Sequence, residues 1–143
     1  MRSGISVVMM NNRKDFRWLA VPAVITAIVF LLLRFIFLIG YVPTESMEPT
    51  LHQGSYILGI RCYENLETGD IVIFEHNGRL LVKRIAAVGG ETIVHAGQEL
   101  IVPYGCYYML GDNALNSFDS RYWDDPFIPQ GCIKAKLILP SKQ

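Results

Sequence analysis

The chain has 143 residues, a length that fits one modest domain. Its 13 basic and 13 acidic residues give a formal net charge of zero, and no cluster of Lys and Arg suggests a domain that binds nucleic acid. Hydrophobic residues make up 51% of the chain and charged residues only 18%, which is unusually apolar for a small soluble domain.

The first predicted element is an apolar segment from Trp18 to Gly40, in which Arg34 is the only charged residue. Its length is about the 20 residues that cross a bilayer core as a helix. Basic residues outnumber acidic ones before it, which places the N-terminus on the cytoplasmic side. A cleaved signal peptide is the alternative, but the run is longer than an ordinary h-region and no A-x-A site follows. We therefore predict a cytoplasmic N-terminus (1–17), a retained transmembrane helix (18–40) and an extracytoplasmic domain (41–143).

After Tyr41 the pattern changes to short β-branched and aromatic runs that are separated by turn residues. The clearest turn signal is Asn77-Gly78, which predicts a tight hairpin. No segment of useful length in this part has a period of 3.6, so we predict a compact, mostly antiparallel β domain. The predicted strands are Ser55–Ile60, Asp70–Phe74, Leu80–Ile85, Thr92–Val94, Glu99–Val102, Cys106–Leu110 and Cys132–Leu139.

Cysteine and histidine residues do not have the spacing of a metal site, and no CxxC motif is present. We therefore expect no metal ion. Three cysteines allow at most one intrachain disulfide, and free thiols fit the sequence equally well. The residues concerned are Cys62, Cys106, Cys132, His52, His76 and His95.

Between the apolar segment and the first predicted strand, Ser46 stands between Pro43 and Pro49. Proline fixes φ and holds the residue before it extended, so we predict a stiff strand or turn that presents a hydroxyl, not a helix. Most serines in such places are only turn residues. A nucleophilic role for Ser46 therefore requires a base elsewhere in the chain.

The predicted strand Leu80–Ile85 carries a candidate base. Its period of two places Lys83 on one face between apolar neighbours and Arg84 on the opposite face. Burial lowers the pKa of a lysine, and a neutral amine can take a proton from a serine hydroxyl. The alternative is a lysine whose head reaches water, and the strand alone favours that alternative.

Short sequence blocks follow one another in a characteristic order. Ser46–Thr50 reads Ser-Met-Glu-Pro-Thr, Val82–Ile85 reads Val-Lys-Arg-Ile, and Gly111–Asn113 with Asn116–Arg121 reads Gly-Asp-Asn and Asn-Ser-Phe-Asp-Ser-Arg. Behind one apolar span, these blocks resemble type I signal peptidase, the membrane-bound Ser-Lys endopeptidase that removes signal peptides from exported proteins. The resemblance runs from the span to the last strand.

The resemblance implies a role for each matching residue. Ser46 is the nucleophile and Lys83 the general base, while the Thr44 hydroxyl joins the Ser46 backbone N–H as the oxyanion hole. Ser117 matches a serine that orients the lysine amine. Asp119 and Arg121 match a structural ion pair beneath the dyad.

The same resemblance implies that the substrates are preproteins with N-terminal signal peptides, bound as an extended strand at a sheet edge. It also implies a single-pass enzyme in a lipid bilayer, at the cell membrane and near the secretion translocon, and a reaction that needs no cofactor. The candidates for shallow pockets that accept small residues before the cut are Val42, Pro43, Leu51 and Val82.

Two departures from the family pattern leave alternatives open. Ala114 replaces the usual Arg, and the 27 residues between Lys83 and Gly111 leave no room for the second β subdomain of many members. An inactive, membrane-tethered module that binds signal peptides is therefore one alternative, and a peptidase for a few secreted or pilin-like clients is another. Relatives with a histidine base are disfavoured by the lysine at position 83, and self-cleaving repressors are disfavoured by the apolar span.

Overall fold

The computed structural model describes residues 16–139. The predicted cytoplasmic segment 1–17 therefore lies almost entirely outside the described residues. The chain divides into two compact units, one ending at Arg34 and the other beginning at Phe35. Within residues 16–139, the helix α1 (Phe16–Ile36) precedes the strands β1 (Phe37–Tyr41), β2 (Tyr56–Ile60), β3 (Ile71–His76), β4 (Arg79–Val88), β5 (Thr92–His95), β6 (Gln98–Ile101), β7 (Cys106–Leu110), β8 (Phe127–Pro129) and β9 (Ile133–Leu139).

Helix α1 is mostly apolar. Its stretch Trp18–Ile36 has a mean hydropathy of 2.5 and none of it is buried within the protein. Among the described residues it is the only helix long and apolar enough to cross a membrane. The predicted apolar N-terminal helix is thus present.

The predicted end of this helix, at Gly40, is wrong, because α1 ends at Ile36 and the next five residues form β1. Strand β1 pairs with β2 along its whole length, so its backbone groups bond to a neighbouring strand and not along a helix. At Gly40, a Cβ would lie 3.1 Å from the side chain of Ile57, so glycine permits this close pairing. Hydropathy alone does not separate an apolar strand from the last turn of an apolar helix.

The β strands confirm the predicted mostly antiparallel β domain. Seven of them form one sheet in the order β1-β2-β9-β3-β4-β7-β8, with antiparallel pairing throughout, and β5 and β6 form a separate hairpin. All seven predicted strands are present, with ends that differ by up to three residues. Strand β8 was not predicted, because three residues that end in a proline give no periodic signal.

The hairpin between β3 and β4 sets the register of the candidate base. Asn77 and Gly78 have φ values of 50° and 73°, the left-handed pair that the tightest hairpin turn requires. The predicted turn is therefore confirmed. Its register pairs Lys83 with the buried Val72, which places the lysine on a face that packs against the core.

The core covers both faces of β3. One cluster includes Val72 and Phe74. The other includes Ile71 and Ile73 together with side chains from the segment around Ser46: Val42, Met47 and Leu51. Full burial of one such side chain contributes about 1.5–3 kcal/mol. Packing thus holds the segment that carries Ser46 against the sheet.

Candidate active site

Ser46 lies in a run of bends and turns over residues 44–50, as predicted, and not in a helix. Its neighbour Met47 and the nearby Leu51 are each only 1% exposed, and the Leu51 N–H donates to the Met47 carbonyl over 2.9 Å. Ser46 itself is 8% exposed. The hydroxyl is therefore held in a packed turn.

The amine of Lys83 reaches this hydroxyl. Lys83 Nζ donates to Ser46 Oγ over 2.6 Å, across 37 residues of sequence, and Lys83 is only 4% exposed. Burial lowers the pKa of Lys83. The charges of Asp119 and Asp112 raise this pKa and the charge of Arg121 lowers it, and the net change is a decrease. The predicted burial of Lys83 is confirmed, and the alternative of a lysine that reaches water is wrong. Its role as a base stays a prediction.

Thr44 also contacts the candidate nucleophile. Its Oγ1 donates to Ser46 Oγ over 3.3 Å. The amine of Lys83 and the hydroxyl of Thr44 therefore meet at one serine oxygen. A hydroxyl in this place can donate to a negatively charged oxygen that forms beside Ser46.

A second polar cluster surrounds Asp119, which is fully buried. Arg121 Nε donates to Asp119 Oδ1 and Arg121 Nη2 to Asp119 Oδ2, each over 2.8 Å, which confirms the predicted ion pair. The Gly111 N–H and the Ser117 hydroxyl also donate to Asp119 Oδ2, over 2.9 and 2.6 Å. Burial would raise the pKa of Asp119, but the hydrogen bonds from Arg121, Gly111 and Ser117 outweigh it and hold the pKa below its usual range.

The contact of Ser117 differs from the prediction. Its hydroxyl donates to Asp119, and among the described residues no hydrogen bond joins it to the amine of Lys83. A buried carboxylate is a stronger acceptor than an amine, which explains the choice of partner. Ser117 thus belongs to the cluster around Asp119 in this state of the site.

Gly111 lies close to both the Ser46 backbone and Ser117. A Cβ at this position would lie 2.5 Å from the Ser46 carbonyl oxygen and 2.5 Å from Ser117 Cβ. Only glycine therefore lets the Ser46 backbone and Ser117 both approach this closely. This accounts for the glycine of the Gly-Asp-Asn block.

We expect Gly111→Ala to lower kcat for peptide-bond cleavage at least about tenfold and to lower the free energy of unfolding by about 1–3 kcal/mol, the usual range for overpacking. The matched control is Gly131→Ala, because a Cβ there meets no atom within 4 Å. Cleavage assays and denaturant unfolding of both variants check this. A Gly111→Ala variant as active as Gly131→Ala would contradict it.

Sequence reasoning missed the ion pair between Arg84 and Asp112. Arg84 donates from Nε to Asp112 Oδ1 over 2.7 Å and from Nη2 to Asp112 Oδ2 over 2.6 Å, and its Nη1 donates to the Gly69 carbonyl over 2.8 Å. Burial would raise the pKa of Asp112, but the hydrogen bonds from Arg84 and Thr50 outweigh it and keep the pKa below its usual range. The pair ties the segment after β7 to β4. The sequence shows Arg84 beside the candidate base and Asp112 after a later strand. It does not show that the two meet, because their contact depends on the pairing of β4 with β7.

The four residues predicted to contact substrate are placed in two ways. Val42 and Leu51 are buried in one core cluster, and Val82 packs against it. Pro43 is exposed, and its carbonyl accepts from Gln53 Nε2 over 2.8 Å. The structure thus brings three of the four together, and their contact with a substrate stays a prediction.

The cysteine and histidine side chains contribute none of the hydrogen bonds described above. Cys62, Cys106 and Cys132 are free thiols. The ring of His76 stacks on Trp123 with centroids 4.1 Å apart, and His95 Nδ1 lies 3.4 Å from the Tyr108 hydroxyl. Within residues 16–139, no group of three or more potential ligands is arranged to hold a metal.

The relatives of this chain match between 20% and 80% of it. The profile of the family described as "Signal peptidase, peptidase S26" matches residues 15–102 and 96–141. The chain is 29% identical over 126 residues to mitochondrial inner membrane protease subunit 1 of Schizosaccharomyces pombe, covering 80% of this chain and 79% of that protein. It is 29% identical over 148 residues to probable signal peptidase I-1 of Synechocystis sp., covering 77% and 74%. It is 69% identical over 29 residues to signal peptidase I of Pseudomonas fluorescens, covering 20% and 10%.

Proposed function

Because the chain belongs to the signal peptidase family, peptidase S26, whose members are peptidases that remove signal peptides, we propose that Ser46 and Lys83 form its catalytic dyad. The observation that carries this proposal is the contact of 2.6 Å between a buried amine and a buried hydroxyl. A lysine with a lowered pKa is neutral in a larger fraction of molecules, and only the neutral form can accept a proton.

In the proposed reaction, Ser46 Oγ attacks the carbonyl carbon of the scissile peptide while Lys83 Nζ takes the hydroxyl proton. The resulting oxyanion accepts hydrogen bonds from the Thr44 hydroxyl and the Ser46 N–H. The C–N bond then breaks as the Lys83 ammonium returns its proton to the leaving amine. An acyl group stays on Ser46 Oγ.

Water completes the proposed cycle. Neutral Lys83 takes a proton from a water molecule that attacks the acyl carbon, and the C–O bond to Ser46 breaks with return of that proton to the serine. The ammonium that forms in each half-reaction lies in the field of Asp119 and Asp112, whose charges favour it. The side chains of the site thus support both charge states of the amine.

The proposed location follows from the apolar helix α1 and from the excess of basic residues before the apolar segment. Helix α1 would be a single-pass anchor with the N-terminus in the cytoplasm and the β domain outside the cell membrane. Ten residues run from Phe37 to Ser46, a contour of at most about 35 Å, so the dyad would work within that reach of the lipid boundary. Preproteins that emerge near a translocon would present their signal peptides there.

The proposal is tested with the purified full-length chain and a preprotein that carries a signal peptide. We expect one cut after a small residue, and rapid quenching should yield an acyl adduct on the peptide that contains Ser46, measured by mass spectrometry. The matched control is the same preprotein with tryptophan at the residue before the cut. Stable binding without any cut product would instead support the inactive binding module.

A further inference from the structure

Glu45, the residue directly before Ser46, is exposed but is held at two points by the segment after β7. Asn113 Nδ2 donates to the Glu45 carbonyl, and Asn116 Nδ2 donates to Glu45 Oε1, each over 3.1 Å. The Asn113 N–H also donates to the Ser46 carbonyl over 3.1 Å. These contacts join parts of the chain that lie about 70 residues apart in sequence.

The three hydrogen bonds differ in what they require of the chain. The two from Asn113 end on backbone carbonyls, so they would form with any residue at position 45. The bond from Asn116 ends on a carboxylate, so it depends on the side chain of Glu45. Asn116 is in turn linked to Asn113, because its N–H donates to the Asn113 carbonyl over 3.1 Å.

The two segments joined in this way carry different parts of the proposed machinery. One carries Thr44 and Ser46, and the other carries Ser117 and Asp119, whose charge acts on Lys83. A shift of the Ser46 segment would lengthen the distance of 2.6 Å between Ser46 Oγ and Lys83 Nζ. Displacement of a reacting group by about 1 Å is enough to reduce turnover strongly.

We propose that Glu45 and Asn116 are positioning residues that act as a pair: the amide of Asn116, by holding the carboxylate of Glu45, fixes Ser46 at its distance from Lys83. This inference rests on the proposed function of the dyad. Since an exposed hydrogen bond of this kind is weak, each single truncation to alanine should lower kcat about three- to tenfold and leave KM nearly unchanged.

The test uses the full-length chain, a preprotein substrate, and the variants Glu45→Ala, Asn116→Ala and their double mutant. Two residues that act as one pair should give a double mutant no slower than the slower single variant. Glu45→Gln retains an oxygen that accepts from Asn116, so it should recover most of the kcat lost in Glu45→Ala. The matched control is Glu48→Ala, which removes a carboxylate whose contact, with the Gln53 N–H over 3.3 Å, stays within its own loop.

Multiplying losses in the double mutant, or a Glu45→Gln variant as slow as Glu45→Ala, would overturn the pair. Equal activity of Asn116→Ala and wild type would do so as well. Failure of the dyad is recognised separately, by cleavage that survives Ser46→Ala. Thermal unfolding of each variant, expected to match wild type, shows that a lower kcat does not come from a lost fold.

Discussion

Replacing Lys83 by methionine, or Ser46 by alanine, is expected to lower kcat by about 10⁴-fold or more. Removal of the nucleophile or of its base has effects of this size in other serine proteases, because the remaining groups cannot carry the proton or form the acyl bond. The preprotein cleavage assay measures it. Cleavage that persists in both variants would falsify the dyad.

Stability should respond in the opposite direction for Lys83→Met. Lys83 is 4% exposed and burial lowers its pKa, so in the wild type part of the folding free energy goes into removing the charge or the hydration of the amine. Methionine has a similar length without that penalty, so the free energy of unfolding should stay within about 1 kcal/mol of wild type or rise. Denaturant unfolding at neutral pH measures this, and a large loss would mean that Lys83 has mainly a structural role.

The pH dependence follows from the same shift. The reacting form is the neutral amine, so kcat/KM should rise with pH through the pKa of Lys83, which lies below the 10.5 of an exposed lysine. Stability should also rise with pH. The unfolded chain keeps the proton of Lys83 to a higher pH than the folded chain, so the free energy of unfolding increases between the folded and the unfolded pKa. Lys83→Met should lack this contribution to the curve of stability against pH.

The second large effect is expected at Asp119. Replacement of this buried carboxylate by alanine should lower the free energy of unfolding by about 1–3 kcal/mol for each buried donor that it leaves without an acceptor. The variant leaves Arg121 without its carboxylate and Gly111 N–H without its acceptor. The free energy of unfolding of a small domain is only about 5–15 kcal/mol in total, so this loss is a large share of it. Denaturant unfolding checks it, and a loss under 1 kcal/mol would contradict it.

Asp119→Asn is the matched variant, since it retains the shape but not the charge. The folded-state pKa of Asp119 is depressed, so its charge contributes stability above the unfolded pKa of about 3.8, and that stability is lost as the pH falls through the folded pKa. The asparagine variant should therefore lose less stability on acidification than wild type. Acid unfolding followed by circular dichroism compares the two.

The charge of Asp119 should also appear in catalysis. It raises the pKa of Lys83, so its removal should move the rising limb of the pH profile of kcat/KM toward lower pH. Arg121, which lowers that pKa, would then act unopposed by its partner. A limb that stays in place would show that the dyad does not sense this carboxylate.

Local patterns in the sequence predicted much of the fold. The Asn77-Gly78 signal predicted the hairpin, and a period of two placed Lys83 on one face between apolar neighbours, although the strand alone favoured a lysine that reaches water. These predictions succeeded because turn geometry and strand alternation depend on neighbouring residues. The end of α1 was missed because β1 is as apolar as the helix before it, and only its pairing with β2 makes it a strand.

The sequence by itself determined the family, the β class of the domain, the apolar helix and the residue types available for chemistry. Only the tertiary structure decided which of these residues meet: the pairing of β4 with β7 brings Arg84 to Asp112, and the packing of Met47 and Leu51 brings Ser46 to Lys83. It also decided that the Ser117 hydroxyl donates to Asp119 and not to the amine of Lys83. The physical reason is that such contacts join distant segments, and their geometry depends on the packing of many side chains at once, which no local period encodes.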